Sequence, residues 1–215
     1  MLTNSLNFLS LEKDFRGEVN FKPFYLSTDL NFNYISQKKI FQNESLLIDL
    51  LDSELLNNPN LNASINIKID KIDKFEYLQD FISKIHLGDG RIYIKNFNTY
   101  WNDSVLIKSK EIEFLNDIDG KKLVGEIIFN FEDIEKFFRY FQIKRNYRDV
   151  FETIRLDFVY DLTLDKFNLN NLKIDNKSFN KIDKFLNEYN KSENNSFNKV
   201  TIRNFIKEFF QIYAG

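Results

Sequence analysis

Strict alternation of apolar and polar residues constrains this chain's fold more than any other feature. In residues 154–162, Ile154, Leu156, Phe158, Tyr160 and Leu162 fall on one face of an extended backbone, with Arg155, Asp157 and Asp161 on the other. Residues 61–69 repeat the pattern without a fault, Leu61, Ala63, Ile65, Ile67 and Ile69 alternating with polar residues. Successive side chains of a strand point to opposite faces, so these runs predict half-buried antiparallel strands. The stretch around them, residues 122–175, reads strand, helix, strand, strand.

The rest of the chain fills in a mainly β fold with helical insertions. Strands are predicted at 6–11, 17–21, 25–35, 105–109, 111–115 and 167–174. Pro23 suits an edge or a bulge. Asp89-Gly90 and Asp119-Gly120 lie between apolar runs and predict hairpins. Residues 73–83 fit both periods and read as a helical turn passing into a strand. Helical spacing predicts helices at about 43–56, 133–141, 178–189 and 199–213, the first stopped at Asn57-Asn58-Pro59. Residues 190–198 read as a polar loop. The expectation is one domain over 1–215, a curved antiparallel sheet forming an open groove, strand-rich to residue 176 and helical from 177.

Composition narrows the function classes. A net charge of −2 argues against a dedicated nucleic-acid binder, which needs a basic face. With no cysteine there is no disulfide, thiolate metal site or cysteine nucleophile. Phenylalanine is abundant (24 residues) while alanine occurs only at Ala63 and Ala214. That bias resembles AT-rich codon usage and weakens any argument from phenylalanine content alone. Residues 1–5 lack the basic start and apolar run of a signal peptide, and no window approaches eighteen apolar residues.

Candidate chemistry is sparse. His86, the sole histidine, has no partner pattern for catalysis. There is no glycine-rich phosphate loop, no HExxH and no nucleophile elbow. The acidic clusters Asp49/Asp52/Glu54 and Glu132/Asp133/Glu135 read as solvated helix faces and helix N-terminal charges. Asp70 and Asp73 lack calcium-loop spacing. No catalytic residue, metal ligand or cofactor is therefore assigned, and the chain is expected not to be an enzyme. Lys144, Arg145 and Arg148 form the one basic cluster, a candidate for lipid headgroups or an ordinary solvated loop. Trp101, with Tyr100 and Phe97, reads as core or as an interface.

Three stretches resemble the C-terminal region of the AsmA family of bacterial envelope proteins. They are LDSELLNNPNLNASINIKIDKI at 51–72, residues 122–176 with LVGEIIFNFEDIEKFFRYFQ and TIRLDFVYDLTLDKFNLNNLKIDN, and residues 198–215. The resemblance covers roughly residues 40–215. It implies a long sheet curled into an apolar groove, anchored in the inner membrane, extending through the periplasm and helping phospholipid reach the outer membrane. It also implies that this chain is a fragment lacking the N-terminal anchor, so that membrane contact is made only by parts outside it. The implied partner is a phospholipid or other acyl lipid, with an envelope protein as an alternative partner and no nucleic acid. The candidate groove lining is Leu61, Ala63, Ile65 and Ile67 with Ile154, Leu156, Phe158 and Tyr160. The same eight residues also fit an ordinary core beneath the helices.

Overall fold

The computed structural model describes residues 5–10, 15–21, 24–35, 58, 60–72, 75–88, 90–117, 120–192 and 199–215. Ten strands are described: β1 (Ser5–Ser10), β2 (Phe15–Phe21), β3 (Phe24–Ile35), β4 (Ala63–Ile72), β5 (Phe75–Gly88), β6 (Arg91–Trp101), β7 (Val105–Asp117), β8 (Gly120–Phe131), β9 (Thr153–Asp161) and β10 (Lys166–Ile174). Three helices accompany them, α1 (Ile134–Phe141), α2 (Asn180–Lys191) and α3 (Lys199–Ala214), with a 3₁₀ turn at Arg145–Tyr147. The fold is mainly β with helical insertions, as the alternation predicts. The helix expected at 43–56 lies outside the described residues.

The chain divides into two compact units. One comprises Met1–Asn102 with Lys110–Phe114, the other Asp103–Ser109 with Leu115–Gly215. Within the first unit β1 to β6 neighbour one another in chain order, and within the second β8 to β10 do so. The pairs β1–β2, β2–β3, β4–β5 and β5–β6 of the first unit, and β8–β9 and β9–β10 of the second, are antiparallel. The pair β3–β4 is parallel, Leu26 lying beside Ala63 and Phe32 beside Ile69. The sheet is therefore mixed, not antiparallel throughout. A parallel pair needs a crossover in place of a hairpin, and residues 36–57 of that connection lie outside the described residues.

Two further expectations are corrected. The segment read as a helical turn becoming a strand is strand from Phe75 onward. Asp80 takes a left-handed φ of 51° and the β5–β6 register slips between Gln79 and Ile82. Ile82, paired with Lys68 and 43 % exposed, is an apolar residue on the polar face, and with Leu78 and Ile85 it gave a false helical spacing. The strands expected at 105–109 and 111–115 are one, β7. The hairpin between β5 and β6 is present as expected: Gly88 pairs with Arg91 and Gly90 has φ 73°.

In the second unit the helices and the 3₁₀ turn build an aromatic core. The Asp133 carboxylate accepts from the Lys136 amide at 2.8 Å, capping α1. Gln142 ends the helix in a left-handed conformation. Phe138, fully buried, meets Phe210 of α3 edge-on at 5.1 Å, and Phe210 stacks on Phe151 at 5.8 Å. Ile182, Phe185 and Leu186 bury the inner stripe of α2, which contacts β10.

Candidate functional site: an apolar sheet face

Register assigns the faces of the first unit's sheet. Residues paired across strands share a face, so Leu26, Leu30 and Phe32 of β3 join Ala63, Ile65, Ile67 and Ile69 of β4. These continue into Phe81, Ser83, Ile85 and Leu87 of β5, and Ile92 and Ile94 of β6. The opposite face carries Arg16, Asp29, Asn66, Lys84 and Lys95. There Asp29 accepts from Arg16 Nε at 2.8 Å and from Asn66 Nδ2 at 2.7 Å, linking three strands. Those contacts, the Asn66 bond first, hold the Asp29 carboxyl below the usual carboxylate range. Lys95 pairs with Glu111 at 3.2 Å and Arg91 with Glu113 at 2.9 Å. One face is thus largely aliphatic, with Thr28, Lys71 and Gln79 as polar positions on it, and the other is charged.

The apolar face is unevenly covered. Ala63, Ile69, Ile85, Leu87 and Ile92 are buried, at 5 % exposure or less. Ile65, Ile67, Phe81, Ile94 and Phe97 keep part of their surface. Phe81 and Phe97 meet edge-on at 5.3 Å, so Phe97 belongs to this face and not to an exposed aromatic group. Trp101 is half-buried and 6.3 Å from the Tyr77 ring.

Within this surface Ser83 is the one serine of β5. It is 3 % exposed and its Oγ has no hydrogen-bond partner. An unsatisfied buried hydroxyl costs about 1–3 kcal/mol. Other buried hydroxyls are bonded: Thr28 Oγ1 donates to the Arg16 carbonyl at 2.9 Å, and Thr99 Oγ1 to the Gln79 carbonyl at 2.8 Å. Sequence reasoning missed Ser83, although it is the only polar residue in the series Phe81, Ser83, Ile85, Leu87.

The eight lining candidates divide between the units. Leu61 is half-buried at the entry to β4, with Ala63, Ile65 and Ile67 following on the apolar face. In the second unit Ile154, Leu156 and Phe158 are core residues at 7–8 % exposure, and Ile174 and Leu172 on β10 are buried more deeply. Tyr160 is half-buried, stacks on Phe167 at 4.3 Å and donates to Asp165 at 2.7 Å. Burial, then the Asp165 carboxylate, pushes its hydroxyl pKa well up. An acyl chain would reach this second quartet only by displacing packed side chains. Of the β4 quartet, Leu61, Ile65 and Ile67 keep part of their surface, while Ala63 is as fully packed as the second unit's core.

The basic cluster divides as well. Arg148 turns inward: its Nε donates to the Ile143 carbonyl at 3.0 Å, its guanidinium pairs with Glu135 at 3.1 Å and lies 5.8 Å over the Phe138 ring. Lys144 and Arg145 are exposed. Of the acidic clusters, Asp133 caps α1 and Glu135 holds Arg148, while Asp49, Asp52 and Glu54 lie outside the described residues. His86 stacks against Tyr93 on the polar face, ring centroids 6.4 Å apart. Among the described residues, no group of three or more His, Asp or Glu side chains is placed to hold a metal ion. Among them, too, no helix is long and apolar enough to cross a membrane.

No protein-family model, curated protein or solved structure matches the chain.

Proposed function

We propose that this chain is a non-enzymatic, AsmA-type segment of a bacterial envelope protein that binds and guides phospholipid acyl chains. In this reading it works in the periplasm, between inner and outer membrane, held to the inner membrane by parts of the protein outside this chain. The observation that supports it is the one-sided sheet of the first unit, charged on one face and aliphatic on the other, with Ile65, Ile67 and Ile94 only half-buried. An acyl chain needs apolar area and no directed chemistry. Each buried methylene contributes about 0.8 kcal/mol, so about ten in contact supply roughly 8 kcal/mol before ordering costs.

Native mass spectrometry of the purified chain tests this reading. Phospholipid retained by the wild type and lost in Ile67→Asp supports it, provided circular dichroism shows the variant folded. A lipid-free chain that also fails to take up dioleoyl phosphatidylglycerol from vesicles refutes it.

A further inference from the structure

The polar face of the β5–β6 hairpin gathers cations. Lys84 and His86 of β5 alternate with the apolar Ile85 and Leu87, and Arg91, Tyr93 and Lys95 of β6 alternate with Ile92 and Ile94. Register sets them in three successive rows, Lys84 opposite Lys95, His86 opposite Tyr93 and Gly88 opposite Arg91. Paired residues stand about 5 Å apart at Cβ, and rows on one face are about 7 Å apart. The five side chains therefore occupy one patch. Acids reach it from β7, where Glu113 pairs with Arg91 at 2.9 Å and Glu111 with Lys95 at 3.2 Å. Among the described residues, no carboxylate pairs with Lys84.

Like charges directly opposite one another destabilise a sheet, so Lys84 against Lys95 runs against the stability of the protein alone. Lys95 is offset by Glu111 and by the Tyr93 ring, whose centroid lies 5.1 Å from its ammonium. On its other side Lys84 meets Asn66, whose amide is committed to Asp29. The patch is open to solvent, with the Arg91 side chain 59 % and the Lys95 side chain 37 % exposed. Gly88 shapes its far end: a Cβ there would meet His86 Nε2 at 3.1 Å, so the glycine makes room for the imidazole beside the Arg91 row. We infer that this hairpin face binds a phosphate group of a multiply charged anion, seated over Lys84 and Lys95 with His86, Tyr93 and Arg91 as further donors. Ammonium and guanidinium groups make charge-assisted hydrogen bonds to phosphate oxygens, and the tyrosine hydroxyl and an imidazole N–H add neutral donors. A terminal phosphate suits the patch better than a carboxylate, because it brings three acceptor oxygens and about two charges to donors spread over two strands. The site lies on the opposite face from the proposed lipid surface and does not rest on that reading.

Isothermal titration calorimetry of the full chain with inorganic pyrophosphate tests the inference. The wild type is expected to bind it, more weakly as sodium chloride is raised. Lys84→Ala is expected to bind about tenfold more weakly, the equivalent of one hydrogen bond to a charged group. Without the anion it is expected to melt no lower than the wild type, since the like-charge pair is gone. Lys184→Ala, exposed on α2, is expected to bind as the wild type does. Co-sedimentation with phosphatidic acid vesicles and not with phosphatidylcholine vesicles assigns the phosphate to a lipid headgroup; pyrophosphate binding without co-sedimentation assigns it to a soluble ligand. A wild type that binds no pyrophosphate at millimolar concentration overturns the inference. So does a Lys84→Ala variant that binds as the wild type, or an equal loss in Lys184→Ala.

Discussion

Asn190 closes the outer edge of β10 at Leu169. Its side-chain oxygen accepts from the Leu169 amide and its NH₂ donates to the Leu169 carbonyl, both at 2.9 Å. One carboxamide from α2 thus satisfies both of that residue's outward-pointing backbone groups, as a neighbouring strand would. A row of unpaired edge groups invites pairing with another chain. Asn190→Ala is expected to destabilise the protein by about 1–3 kcal/mol and to speed exchange of the Leu169 amide. Chemical denaturation and hydrogen exchange read the two effects. An unchanged Leu169 exchange rate would show that α2 protects the edge without Asn190.

Arg148 and Arg145 look equivalent in sequence and are expected to behave differently. The Arg148 side chain is 22 % exposed and ties the 3₁₀ turn to α1 through Ile143 and Glu135. Arg148→Ala is expected to cost about 1–2 kcal/mol, from a lost charged hydrogen bond and lost packing on Phe138. Lys144→Ala and Arg145→Ala should stay within about 0.5 kcal/mol of the wild type, as exposed positions usually do. Urea midpoints of the three single variants check the order. If either of the exposed cations cost as much as Arg148, the inward role assigned to Arg148 would not distinguish it.

Those two contrasts show what the sequence carried and what it did not. Element types were legible wherever alternation or helical spacing ran unbroken: β4, β8, β9, β10 and the three described helices lie within a few residues of their predicted ranges. Failures came where the chain breaks period. The exposed Ile82, on the polar face of β5 between Leu78 and Ile85, mimicked a helical stripe. Lys110 and Glu111, polar neighbours in mid-strand, made β7 look like two strands. Parallel pairing of β3 with β4 left no local signal, because partners separated by a long crossover are not marked by any turn motif. The site suffered similarly. Alternation put Ile65 and Ile67 on an apolar face, yet it could not tell them from Leu156 and Phe158, whose burial depends on what else in the fold covers them. Asn190 read as the start of a polar loop, and only the folded α2 brings it to Leu169.

Stability in acid should depend on Asp29. Its folded pKa is depressed below the unfolded value of about 3.9. The unfolded chain therefore binds the proton more tightly, so the contribution is fully present above about pH 4 and is lost as the pH falls through the folded value. Asp29 lies on the partly solvated face, so the contribution is modest. Asp29→Asn removes this titration while keeping the side chain's size. Its denaturation midpoint is expected to fall less steeply than that of the wild type between about pH 4 and pH 2. Parallel curves for the two proteins would place the acid sensitivity elsewhere.

The left-handed residue of β5 offers the sharpest test of why that strand is irregular against β6. Asp80 is exposed and sits at φ 51°, where asparagine and aspartate are tolerated, glycine is unstrained and a β-branched side chain is not. Asp80→Gly should leave stability within about 0.5 kcal/mol of the wild type, relief of strain offsetting the extra freedom of the unfolded chain. Asp80→Val should cost about 1–2 kcal/mol if the bulge is kept, since the left-handed conformation then crowds its Cβ. The alternative for the valine variant is to regularise the strand. That shift would have to be matched at the second slip, between Ile82 and Lys84, because the register with β6 is the same before the first slip and after the second. Thermal melts rank the two variants, and amide exchange across residues 77–85 distinguishes a strained bulge from a re-registered strand. A valine variant as stable as the wild type, with unchanged exchange, would mean that Asp80 does not hold the conformation on which the register of β5 depends.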